Sequence, residues 1–148
     1  MITVDGKQVF TELSELVDPS HTALSLIDMQ HDFVDPDGAF GEMGVDVSMY
    51  HAQRPVLAAL LDDARNAGVL VIHVQNTALP NRMSDSPAQI RFNLRMHAAH
   101  RGNDPALRYS VPGTPGHAFV RAVTPRPDER VVLKNPPMCF RGITLHLH

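Results

Sequence analysis

A chain of 148 residues, 43% hydrophobic and 20% charged, is long enough for one domain with an average-sized core and too apolar for an intrinsically disordered protein. Thirteen basic and sixteen acidic residues, a net charge of −3 scattered along the chain, leave no electrostatic footprint for nucleic acid or an anionic membrane. No apolar stretch approaches the roughly eighteen residues that span a bilayer, and Met1 to Leu16 lacks the basic start and apolar centre of a signal peptide, so a cytoplasmic protein is expected; the single cysteine, Cys139, excludes an internal disulfide and any multi-cysteine metal site.

Taken in chain order, Asp5-Gly6 sits between two short β-prone runs in "ITVDGKQV", which predicts a peripheral hairpin. "TALSLID" is a continuous apolar run that stops at Asp28, as expected of a strand over 23–28 covered on both faces. A second acid, Asp32, follows at once. After a loop rich in Asp, Pro and Gly, Ser48 is positioned to cap a helix to about Ala67, with Val56, Leu57, Leu60 and Leu61 at helical spacing and Asn66-Ala67-Gly68 closing it. Pro55 falls inside and predicts a kink or a later start. "VLVIHVQN" supplies a second buried strand, 69–74, running into the amides Gln75 and Asn76. Strand, helix, strand is the signature of a right-handed parallel crossover.

Further along, Ser86 to His100 carries a modest helical periodicity, "SVPGTPG" is loop, "HAFVRAVTP" predicts a short helix closed by Pro125, and "ERVVLK" predicts a strand over 130–134 ending at Lys134. Three strands therefore finish in polar groups. In an open parallel sheet the carboxyl ends of neighbouring strands form one rim, where ligands bind. Asp28 at such an end is a site candidate, though an acid after a strand also serves as a plain loop residue or cap. A lysine at a strand end is more often solvated than catalytic, and Gln75 and Asn76 more often satisfy loop backbone than substrate.

"ALSLIDMQHDF", "GVDVS", "PGTPGHAFV" and "VVLKNPPMCFRGITL" together resemble the isochorismatase-like cysteine hydrolases, nearest to the branch of ureidoacrylate amidohydrolase, biuret hydrolase and N-carbamoylsarcosine amidase. The resemblance runs from about Val17 to Leu145. It implies an α/β three-layer sandwich around a parallel sheet, no cofactor, and an Asp-Lys-Cys trio in which Asp28 takes the thiol proton and Lys134 balances its charge. A thiol is a weak nucleophile until deprotonated, so a carboxylate within reach activates it, and an amide carbonyl would then be attacked to give a thioester that water cleaves. By the same resemblance the family's cysteine lies beyond a further helix and strand, so the expectation is a chain that stops before it; Cys139 aligns with the residue before the family's phenylalanine, here Phe140, and not with the nucleophile.

Metal ligation is not expected. The nicotinamidase branch holds a metal through an Asp-x-His pair after the first loop, where this chain reads Asp46-Val47-Ser48; His97 and His100 form a lone pair at helical spacing, and His146 and His148 lie at the chain's end. Two functions follow as expectations. One is a hydrolase scaffold acting on a small amide or ureido compound, with Asp28 and Lys134 as catalytic residues and Phe33, Gln75 and Asn76 lining a neutral pocket. The other is a non-catalytic domain of the same fold kept for ligand binding or oligomerisation. If the family's sheet order holds, the strand at 23–28 has an open apolar edge, which invites pairing and predicts a homo-oligomer.

Overall fold

The computed structural model describes residues 1–83, 85–100 and 108–135. A two-stranded antiparallel hairpin opens the chain, β1 (Ile2–Val4) and β2 (Lys7–Val9), joined at Asp5-Gly6, both at positive φ. One turn of helix, α1 (Leu13–Leu16), leads to β3 (Ala23–Ile27). Two further single turns, α2 (His31–Val34) and α3 (Ala39–Glu42), precede the long helix α4 (Ser48–Asn66) and the strand β4 (Leu70–Asn76). Helix α5 (Pro87–His100) and strand β5 (Arg130–Lys134) complete the regular elements. The second sheet is parallel, in the order β3-β4-β5, with Ile27 opposite Val74 and Asn76 opposite Lys134. This is the α/β arrangement with a parallel sheet that the alternation of runs predicts.

Helix α4 packs on the sheet through Leu61 and Ala64, which join Leu26, Val34, Val71, Val120 and Val123 in one buried cluster with Leu57 partly buried against it. Residues 57, 61 and 64 repeat at helical spacing and share the stripe facing the sheet. Leu60, expected to be buried, and its neighbour in the pattern Val56 lie about 100° round the helix and are 48% and 69% exposed. The helix does not start late at Pro55 but runs through it from Ser48. Nor is Ser48 its cap: Val47 occupies that position, and the Asp46 carboxylate accepts from the Ser48 amide at 2.9 Å, which holds the Asp46 carboxyl below its ordinary range. At the far end Gly68, at φ +73, lets its own amide reach the Arg65 carbonyl and the Val69 amide reach that of Ala64, closing the helix in a left-handed turn.

The short helix expected at 117–125 does not form. Two 3₁₀ turns, Pro115–His117 and Arg121–Val123, flank an extended piece in which Phe119 bridges Gln30. The backbone there bonds outward to the segment after β3, His31 N to Ala118 O and Val120 N to Met29 O, both 3.0 Å, and a tertiary partner has displaced the local helix. Ser86 caps α5 by accepting the Gln89 amide at 3.1 Å. The side chains of residues 96–100, and so the His97–His100 pairing, lie outside the described residues, as do Cys139, Phe140, His146 and His148.

Candidate functional site at the carboxyl rim of the parallel sheet

Strand β3 ends where Asp28 turns to φ +59, a left-handed conformation that a short polar side chain tolerates better than most. Its amide still donates to Val74 O at 3.0 Å, so the residue stays tied to β4 while the chain leaves the sheet. Lys134 ends β5, on the other side of β4. Two strand spacings separate β3 from β5 by about 9–10 Å, a gap that a lysine and an aspartate can close only by reaching towards each other over the end of the strand between. They do so: Lys134 Nζ donates to Asp28 Oδ2 at 2.6 Å, with the lysine side chain 9% and the aspartate 32% exposed. The second carboxylate oxygen, Oδ1, is buried and has no hydrogen-bond partner among the described residues.

The floor of this rim is a buried polar network. Gln30, fully buried, accepts from Asn76 N at 2.7 Å and donates from Nε2 to Asn76 O and His117 O, both at 2.9 Å. Gln75 Nε2 donates to the same His117 carbonyl at 2.7 Å, and Asn76 Nδ2 donates to Ser110 Oγ at 3.0 Å. The His117 ring lies 3.0 Å from Thr77 Oγ1; burial pulls its pKa below the ordinary imidazole value, and the charge of Asp32 opposes the shift. Asp32 is itself buried, accepting from Ala39 N at 3.2 Å and Ser110 N at 2.6 Å. A Cβ on Gly116 would overlap that carboxylate, which is why the loop can press against α2 only with glycine there.

Aromatic rings close the other side. Phe33 stands edge-on to Phe40 and Tyr109, with centroids 5.0 and 5.6 Å away. Burial raises the Tyr109 phenol above its usual range, and the negative charges of Asp85 and Asp28 add to that. Behind Tyr109 a cavity of about 20 Å³, bordered by Arg82, Asp85 and Arg108, has room for little more than a water molecule.

The structure thus brings Asp28 and Lys134 into contact as a pair, and places Phe33 in an aromatic wall. Gln75 and Asn76 are at the rim, but their amide nitrogens are engaged by His117 and Ser110. Gln30, Asp32, Tyr109 and His117 were not singled out from the sequence as site residues. Gln30 and Asp32 sit within "LIDMQHDF" and His117 within "PGTPGHAFV", but no period distinguishes an inward polar residue from an outward one in a loop. Nothing around Tyr109 in the sequence marks it.

Comparison with known proteins fits this architecture. The family model of the Isochorismatase domain matches residues 22–147. An isochorismatase family protein from Desulfovibrio vulgaris subsp. vulgaris str. Hildenborough is 31% identical over 82% of this chain and 56% of its own, at a TM-score of 0.57. N-carbamoylsarcosine amidase from Thermoplasma acidophilum (21% identity, 84% and 57% coverage, TM-score 0.54) and the pyrazinamidase of Pyrococcus horikoshii in complex with zinc (24% identity, 82% and 59%, TM-score 0.53) share the fold. The chain spans little more than half the length of these structures.

Proposed function

Because the chain belongs to the isochorismatase family, we propose that it carries the base and the cation of a cysteine-hydrolase site that cleaves a C–N bond in a small amide or ureido compound. The observation that carries this reading is the asymmetry of Asp28: Oδ2 is held by Lys134, while Oδ1 is sheltered and unpartnered. An oxygen so placed can accept a proton from a thiol. The thiolate then adds to the carbonyl carbon, the protonated Asp28 gives its proton to the departing nitrogen, and ammonia or an amine leaves a thioester. Water added to the thioester releases the acid and returns the thiol. Phe33, Gln75 and Asn76 are proposed to border an uncharged substrate, and an amidase among the fold neighbours is in keeping with such a compound.

Cys139 is the one thiol in the sequence, and its place just past Lys134 does not match the family's nucleophile, so the 148-residue chain is expected to give no covalent turnover. The test is ammonia release from ureido and primary amide substrates by this chain, by Cys139→Ser, and by a form extended through the downstream reading frame. Activity in the short chain that Cys139→Ser abolishes would overturn the assignment of the nucleophile. An extended form that is active and indifferent to Asp28→Asn would overturn the assignment of the base.

One observation favours a second reading, a non-catalytic domain that self-associates: β3 is an edge strand among the described residues, and its Ile27 is 42% exposed. A homo-oligomer paired on that edge is proposed accordingly. No described helix is long and apolar enough to cross a membrane.

A further inference from the structure

Outside the rim, α2 and the loop after it bring three metal-ligating groups together. His31 Nε2 lies 3.3 Å from Asp37 Oδ1 and 3.7 Å from Asp35 Oδ2, and one ligand atom from each residue falls within 4.8 Å of the others. His31 and Asp35, four apart, share a face of the short helix. Asp37 comes back to that face from the loop. We propose that His31, Asp35 and Asp37 form a binding site for a divalent transition-metal cation of the zinc type.

The spacing supports a shared central ion over a simple ion pair. Ligand atoms bound tetrahedrally at about 2.0–2.1 Å from zinc stand about 3.3 Å from one another; the imidazole nitrogen is 3.3 Å from Asp37 and 3.7 Å from Asp35, so a small inward movement of Asp35 completes the spacing. Both contacts are longer than an ordinary N–H···O hydrogen bond. The rest of Asp35 is fixed from behind. Its Oδ1 accepts from the Arg54 guanidinium, which also donates to Val34 O at 2.8 Å, and His51 Nε2 stands 3.6 Å away. That leaves Oδ2 towards His31, an arrangement in which an outer partner orients a ligating carboxylate. One imidazole, two carboxylates and an open fourth position taken by water suit zinc or manganese better than the oxygen-only cages of calcium. Bound there, the ion would tie the loop after α2 to the helix that follows Asp28, and would use neither Asp28 nor Lys134.

Metal-free protein titrated with ZnCl₂ in a calorimeter, with thermal melting alongside, tests the assignment. The background is His146→Ala/His148→Ala, which removes a His-x-His pair able to chelate on its own. The expected result is one zinc per chain and a higher melting temperature. Asp37→Asn and His31→Ala should each weaken binding by about tenfold or more, since even outer partners of a ligand cost that much. Asp37 is 82% exposed, so Asp37→Asn has no packing to disturb, and an unchanged circular dichroism spectrum would confirm that the loss is local. No zinc binding by the background protein, or binding that both variants leave intact, would reduce the cluster to an imidazole–carboxylate ion pair and overturn the proposal.

Discussion

Replacing Asp28 by Asn removes the carboxylate that stands 2.6 Å from the Lys134 ammonium, whose side chain is 9% exposed. The expected cost is about 1–3 kcal/mol, as for loss of a charged hydrogen bond. Lys134→Met should cost less, because it removes the charge that needs pairing, and the double variant should fall short of the sum. Urea denaturation of the three proteins checks this. A second residue-scale prediction concerns the opposite end of the sheet, where Glu129 takes Arg65 in a two-point pair at 2.6 and 2.9 Å and also meets His73 Nε2 at 3.0 Å. The Arg65 guanidinium above all holds the Glu129 carboxyl at about 2, from an ordinary 4.5. A carboxyl lowered in the folded state binds its proton more readily in the unfolded one. The stabilisation is therefore complete above about pH 4.5 and is lost as pH falls towards 2. Glu129→Gln should lower stability by about 2–3 kcal/mol at pH 7, and its deficit relative to the parent should shrink through that acid window.

Helix α4 offers a paired comparison at the scale of one element. Leu61 is fully buried and Leu60 is 48% exposed, although both fit an apolar helical pattern. Leu61→Ala should cost about 2–5 kcal/mol through the cavity it leaves, while Leu60→Ala should stay within about 0.5 kcal/mol. Thermal or chemical denaturation that found the two equal would refute the orientation of the helix. At its end, Gly68→Ala forces a side chain into φ +73 with open space around it; the backbone term alone should cost about 1–2 kcal/mol.

At the scale of the whole molecule, the edge of β3, open among the described residues, is the proposed pairing surface between copies of the chain. Strand edges that carry unpaired amides and apolar side chains pair with their like unless charged or covered. Sedimentation velocity should show a concentration-dependent oligomer, and Ile27→Lys should shift it towards monomer without unfolding it. A monomer at all concentrations, or an oligomer indifferent to the charge, would remove β3 from the interface.

The apolar runs in "TALSLID", "VLVIHVQN" and "ERVVLK" were enough to place the three parallel strands, and the glycine after Asn66-Ala67 was enough to place the end of α4, because burial and backbone geometry are local demands written at fixed periods. Asp28 and Lys134 could be marked as strand-end groups for the same reason. Their contact could not: 106 positions of chain separate them, and only the parallel order β3-β4-β5 turns two strand ends into one ion pair over β4. The segment 117–125 failed as a single helix because its backbone found partners at Met29 and His31, and Leu60 failed as core because a periodic pattern does not fix which side of the apolar stripe the sheet will cover. Gln30 and Asp32 turned inward for a reason equally invisible in one dimension: buried backbone amides at Asn76, the end of β4, and at Ser110 need acceptors, and tertiary packing decided which polar side chain would supply them.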